Sequence, residues 1–207
     1  VLDRYLHPGI KPLLNRCASL LDKPAITPDG LTLLGFAIGM LALPFLALGW
    51  YLAALVAIVL NRFLDGLDGA LARRRGLTDA GGFLDISLDF LFYALVPFGF
   101  ILAAPEQNAL AGGWLLFAFI GTGSSFLAFA ALAAKHQIDN PGYAHKSFYY
   151  LGGLTEGTET ILLFGLSCLF PAYFSWLAWI FGALCWMTTF TRIWSGYLTL
   201  KSLQRAG

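Results

Sequence analysis

Four aspartates and an arginine stand close together in strongly apolar sequence, in the runs Asp65-Gly66-Leu67-Asp68-Gly69-Ala70-Leu71-Ala72-Arg73 and Asp85-Ile86-Ser87-Leu88-Asp89. An ionised carboxylate at mid-bilayer costs about 2.5 to 3.5 kcal/mol even on the lenient insertion scale, so four of them need a compensating partner. A divalent cation is the simplest one. Asp65 and Asp68 are spaced i,i+3 and Asp85 and Asp89 i,i+4, so two adjacent helices can converge all four carboxylates. Hard oxygen ligands of this kind suit Mg²⁺ or Mn²⁺. Gly66 and Gly69 let a backbone or a ligand approach the helix closely. Arg73, one turn beyond Gly69, offers a planar cation suited to phosphate. A solvated loop with scattered acids is the plainer alternative, but every acid falls at helical spacing inside apolar sequence.

The elements that must position these groups are membrane helices. The 207 residues are 58% hydrophobic and 12% charged, with mean hydropathy +0.71, too apolar for a soluble domain and long enough for about six spans. The expected fold is an all-α integral membrane protein, a single domain over 1–207: an amphipathic interfacial helix within 1–25, then a bundle of six transmembrane helices over 30–202. Spans are expected near Leu31–Leu48, Tyr51–Arg73, Phe83–Ala103, Gly113–Ala134, Leu151–Phe170 and Phe174–Leu200, with Gly49-Trp50, Pro105–Gly113, Phe170-Pro171, Arg74–Gly82 and Lys135–Lys146 as the connections. All thirteen Lys and Arg then fall on one side, which places both termini and the aspartates at the cytoplasmic face.

In the N-terminal segment Leu2, Leu6, Ile10, Leu13, Leu14, Cys17, Leu20 and Leu21 recur at helical spacing against Arg4, Lys11, Arg16 and Lys23, a pattern that lies among anionic headgroups. No cleavable signal is expected there. Cys17, Cys168 and Cys185 lack both CxxC spacing and an even count, and read as packing residues. A basic nucleic-acid-binding surface is not indicated, so no nucleic-acid partner is expected.

The aspartate run resembles the signature of the CDP-alcohol phosphotransferase (CDP-alcohol phosphatidyltransferase) family, bacterial inner-membrane type: Asp-X2-Asp-Gly-X2-Ala-Arg followed by Gly-X3-Asp-X3-Asp. Asp65, Asp68, Gly69, Ala72, Arg73, Gly81, Asp85 and Asp89 match it. The connection departs from the pattern, with seven residues, Arg74 to Ala80, where eight are usual. Either the turn is a residue shorter or Gly82 takes the glycine place; the first keeps the second half intact. The segment Thr27-Pro28-Asp29-Gly30-Leu31-Thr32 resembles the family's Thr-Pro-Asn-X-X-Thr, with Asp29 where Asn is common, and also reads as a plain helix cap.

The resemblance implies transfer of a phosphatidyl group from CDP-diacylglycerol to a small hydroxyl acceptor, with release of CMP, in phospholipid biosynthesis at the cytoplasmic membrane. It implies two Mg²⁺ or Mn²⁺ ions held by Asp65, Asp68, Asp85 and Asp89, with Asp89 also the base. Gly69, Ala72, Arg73, Gly81, Thr32 and Asp29 would hold the CDP moiety, and the protein would be a homodimer. Cleaving a diphosphate needs charge neutralisation and in-line positioning more than covalent help.

Candidate acceptor residues are Lys135, Lys146, Glu156, Glu159 and Arg192. The lysines also fit a purely topological role at the rim, whereas Arg192 sits in apolar sequence. Two glutamates entering a membrane helix need partners, whether the helix N-terminus, an arginine or substrate hydroxyls. Gly153-Leu154-Thr155-Glu156-Gly157-Thr158-Glu159-Thr160 resembles the Gly-X-X-Glu-Arg-X-Glu-Arg of family members that use inositol phosphate, but Gly157 and Thr160 replace both arginines. The rim cations favour a polyol phosphate such as glycerol 3-phosphate; inositol, serine or an amino alcohol fit the glutamates. An intramembrane prenyltransferase and a divalent-cation transporter are the other two classes. The former has no use for Asp-Gly-X-X-Ala-Arg, and the latter would need charge continuing to the far face.

Overall fold

The computed structural model describes residues 3–136 and 154–206, with side chains for 9–136 and 154–202. The described residues are helical throughout, apart from short connections: α1 Asp3–Leu21, α2 Pro28–Met40, α3 Ala42–Ala47, α4 Tyr51–Arg75, α5 Asp79–Ala103, α6 Pro105–Lys135, α7 Gly157–Leu169, a 3₁₀ turn Pro171–Tyr173 and α8 Phe174–Ala206. Four stretches among them are long and apolar enough to cross a membrane: Pro28–Ala47, Asp79–Ala103, Pro105–Lys135 and Pro171–Ser202. The helix α4 has the length of a span, but its acids and arginines lower its hydropathy; α7 is apolar and shorter, at 13 residues.

Three expected boundaries move. The first span is not one helix, because Pro44 has no N–H to give and its ring crowds the carbonyl four residues back, at Met40. The helix therefore breaks at Leu41, between α2 and α3. The expected loop Pro105–Gly113 is helix: Pro105 occupies the first turn of α6, where a missing N–H costs nothing and its fixed φ is already helical. Likewise Arg74–Gly82 shrinks to residues 76–78, since Thr78 caps α5 by accepting from Gly81 N–H at 3.1 Å.

The core forms where α3, α4, α5, α6, α7 and α8 meet. Phe100 stacks on Phe174 at 4.3 Å between ring centroids and on Tyr51 at 5.8 Å. Leu46, Ile58, Phe92, Val96, Leu115 and Phe164 are fully buried around them. Glycine lets helices cross closely at two places near the site. A Cβ on Gly39 of α2 would meet Asn61 Nδ2 at 2.9 Å and Phe92 at 3.0 Å, and one on Gly66 of α4 would meet Leu14 of α1 at 2.9 Å. Gly66 thus admits α1. A smaller core of Leu14, Ala18, Leu31, Leu67, Ala70 and Leu71 results, holding α1 beside the aspartates.

The small-residue run Gly121–Ser125 packs within the chain. Gly121 faces Thr189 of α8, and a Cβ on Gly123 would lie 2.7 Å from Phe90 of α5. At the far end of α6, Ser175 Oγ donates to Gln107 O at 2.8 Å and hydrogen-bonds Asn108 Oδ1 at 2.9 Å, so α6 and α8 start together and run side by side.

Candidate active site

One face of α4 and the facing stripe of α5 bring the signature aspartates together. One carboxylate oxygen each from Asp65, Asp68 and Asp85 lies within 4.8 Å of the others. Asp68 is buried, 4% exposed, and its Oδ2 has no hydrogen-bond partner. An ionised, buried oxygen without a donor is strongly unfavourable unless a cation completes it. Three hard oxygens at this separation, one of them orphaned, fit a Mg²⁺ or Mn²⁺ ion.

Asp89 stands apart from that trio. Its Oδ1 accepts from Arg62 Nη2 at 2.8 Å, and Arg62 Nη1 is 3.6 Å from Asp65 Oδ2. Arg62 is firmly placed. Its Nε donates to Asn61 Oδ1 at 2.7 Å, Asn61 in turn donates to Gly35 O at 2.9 Å, and the guanidinium lies 4.7 Å from the Phe92 ring centroid. Arg62 and Asn61 are site residues that the sequence reading passed over. Their signal was two polar side chains together inside apolar sequence, one helical turn before Asp65.

A large cavity opens over the aspartates. Its polar end is lined by Thr27, Asp29, Thr32, the four aspartates, Gly69, Ala72, Arg73, Gly81 and Glu156, with Arg192 on the α8 side; its apolar wall includes Ile86, Leu116, Phe119, Ile120 and Leu127. All six residues expected around the CDP moiety therefore face one space. Thr27 caps α2 by accepting from Gly30 N–H at 3.1 Å, as the plain helix-cap reading required, and the Thr32 hydroxyl donates to Pro28 O at 3.1 Å. A Cβ on Gly81 would lie 3.1 Å from Asp29 Oδ1 and 3.0 Å from Thr78 Oγ1. The tight place is thus at Gly81, which supports the shorter-turn reading of the signature. Arg192 is 6% exposed, donates to Thr122 O at 3.2 Å and lies over the Phe126 ring at 5.7 Å.

A family model described as CDP-alcohol phosphatidyltransferase matches residues 25–194. The chain belongs to the CDP-alcohol phosphatidyltransferase family. It is 90% identical over 205 residues to the inner membrane protein YnjF of Escherichia coli K12, covering 99% of this chain and 100% of that one. It is 40% identical over 98 residues to the archaetidylinositol phosphate synthase of Pyrococcus horikoshii, 47% of this chain and 52% of that protein. The fold is similar to the phosphatidylinositol phosphate synthase of Mycobacterium tuberculosis solved with CDP-DAG bound, with TM-score 0.66 and 22% identity over 90% of this chain and 94% of that one. The same enzyme solved with manganese and citrate gives TM-score 0.67 at 22% identity, over 89% and 88%.

In this member of the family the expected acceptor residues separate. Arg192 and Glu156 line the cavity, whereas Lys135 is exposed at the end of α6 and Glu159 is not among the lining residues. Lys146 lies outside the described residues. Glu156 and Glu159 form a capping box: the Glu156 side chain accepts the N–H of Glu159, and Glu159 Oε2 accepts the N–H of Glu156 at 3.1 Å. The helix N-terminus is thus one partner of these glutamates. Thr188 of α8 anchors the approach to that cap, accepting from Leu154 N–H at 3.1 Å and from Thr155 N–H at 3.3 Å.

Proposed function

We propose that the chain transfers the phosphatidyl group of CDP-diacylglycerol to a hydroxyl of a polyol phosphate, releasing CMP. The observation that carries this is one cavity with three different walls: the converged aspartates, the buried guanidinium of Arg192 and an apolar side. The relatives named for inositol phosphate products favour a polyol phosphate over a bare amine acceptor. Glycerol 3-phosphate and inositol phosphate both fall in that class.

Asp65, Asp68 and Asp85 would hold the divalent ion, which when bound neutralises diphosphate charge and stabilises the leaving CMP. Arg73 supplies a second positive group to the phosphates. The acceptor oxygen forms the new bond to phosphorus as the bond to the CMP oxygen breaks, and its proton passes to Asp89. Arg62 occupies Oδ1 of Asp89 and leaves Oδ2 as the accepting oxygen. Arg192, held by Thr122 O and Phe126, meets the acceptor phosphate. The apolar wall takes the glycerolipid part of the donor.

The same reading makes α2–α3, α4, α5, α6, α7 and α8 six spans in one domain, with α1 along the interface and the site and both termini cytoplasmic. The chain would act as the homodimer that the family resemblance implies. The test is CMP release by purified protein in lipid nanodiscs with CDP-diacylglycerol, Mn²⁺ and one acceptor at a time. Turnover with glycerol 3-phosphate or inositol phosphate, and little with inositol or serine, is expected. Preference for inositol or serine would remove the acceptor assignment; no CMP from any acceptor would remove the transfer reaction.

A further inference from the structure

The aspartate cluster and its arginine are unequal parts of one site. Three carboxylates share a common point, while the fourth, Asp89, is paired to a side chain of the chain itself. We infer that Arg62 takes the place of a second divalent cation, so that this active site binds one metal ion per chain and uses the guanidinium as its other positive centre. The inference rests on the metal reading of Asp65, Asp68 and Asp85 proposed above.

Two-ion sites place their metals about 3.5 to 4 Å apart, bridged by shared carboxylates. A second ion in this cluster would have to bind Asp89 and share Asp65. Those are the two carboxylates that Arg62 spans, with Nη2 2.8 Å from Asp89 Oδ1 and Nη1 3.6 Å from Asp65 Oδ2. An ion about 2.1 Å from Asp89 Oδ1 would lie against the guanidinium. Two cations so close repel strongly.

Arg62 is also poorly able to withdraw. Its side chain is 16% exposed. Asn61 holds Nε, and Gly35 O holds Asn61. The rings of Phe92 and Tyr93 lie 4.7 and 5.5 Å from the guanidinium carbon, and Nη1 reaches the Tyr93 hydroxyl at 3.4 Å. Contacts from α2, α4 and α5 therefore fix the planar group where it is, and its fork matches the two carboxylates better than a lysine would. A built-in cation here needs no ion from solution to neutralise Asp89.

The experiment counts ions rather than turnover. Purified full chain in nanodiscs is saturated with Mn²⁺, and bound metal per chain is measured by calorimetric titration and elemental analysis. Electron paramagnetic resonance reports whether the ions are isolated or spin-coupled. The expected wild-type result is one Mn²⁺ per chain with the six-line spectrum of an isolated ion. In Arg62→Gln, shown to be folded by its thermal transition, a second Mn²⁺ should bind and the spectrum should show coupling. Two coupled ions in the wild type would overturn the inference while leaving the metal reading of the trio intact. One ion in both proteins would also overturn it, because Arg62 would then not be what excludes the second. No Mn²⁺ binding at all would overturn the metal reading itself. Should Arg62→Gln fail to fold, the wild-type count and spectrum still decide.

Discussion

Replacing Arg192 by alanine tests whether the buried cation on α8 reads the acceptor. In the free protein the guanidinium donates to Thr122 O and covers Phe126. A charge-assisted hydrogen bond to a phosphate contributes about 1.5 to 3 kcal/mol, which converts to a rise of about 12- to 160-fold in the KM for a phosphate-bearing acceptor. On the proposed placement the aspartates and Arg73 hold the donor apart from Arg192, so its KM should change by less than about twofold, as for independent sites. Thr122 O keeps the Ser125 hydroxyl as a donor at 3.1 Å, so the loss of stability comes chiefly from the space the buried side chain leaves, and the variant is assayed below its own unfolding transition. The assay is CMP release with each substrate varied at saturating levels of the other. An unchanged acceptor KM, or equal increases for donor and acceptor, would refute the placement of the acceptor phosphate at Arg192.

Asp68→Asn should lose metal-dependent activity by more than the roughly 10- to 100-fold typical of removing an outer-shell partner, with Mn²⁺ affinity falling in parallel. Asp89→Asn should lose turnover but keep most donor affinity, since a base acts only in the transition state; a donor affinity as poor as that of Asp68→Asn would make Asp89 a metal ligand instead. Gly39→Ala should destabilise the fold by about 1 to 3 kcal/mol through overpacking, because its Cβ would press on the Asn61 amide and on the rigid Phe92 ring; an unshifted thermal transition would contradict this. The hydrogen bond from Arg75, aided by Arg74, holds the Asp22 carboxyl below its ordinary range. A lowered folded-state value means its stabilisation is fully present above the unfolded value of about 3.9 and is lost as pH falls through the folded one. The small advantage of wild type over Asp22→Asn in melting temperature should therefore be constant well above the unfolded value and shrink as pH falls below it.

The aspartate face was legible because carboxylates are so costly in apolar sequence that their spacing reports a shared ligand. Helical periodicity alone aligned Asp65 with Asp68 and Asp85 with Asp89. The family resemblance added the glycine and arginine places, and all of them line the cavity. Other features were obscured by residues with two uses. Pro105 marks turns and also first helical turns, so the start of α6 was placed too late. Pro44 was taken inside a continuous span, although its lack of an N–H breaks the helix at Leu41. Arg62 was counted only among the thirteen basic residues on one side; its partner, Asp89, lies on another helix, which spacing within one helix does not reveal. A glutamate can cap a helix or bind a ligand, and sequence could not decide which; Glu156 and Glu159 cap each other's backbone. The small residues Gly121 and Gly123 serve packing within the chain, against Thr189 and Phe90.

The two apolar stripes of α1 carry a practical consequence. Leu14 and Ala18 turn inward to α4, while Ile10, Leu13 and Leu20 are 49%, 57% and 75% exposed. Leu14 also sits against Gly66, the residue beside Asp65, and borders the cavity. On the proposed interfacial placement, the helix is held from one side by protein and from the other by the surrounding amphiphile. A short-chain detergent that competes for the outer stripe loosens the same rod that braces the aspartate helix. Rates measured in micelles and in bilayers then describe differently braced forms of the protein, and the choice of solubilising medium becomes a variable of the chemistry itself.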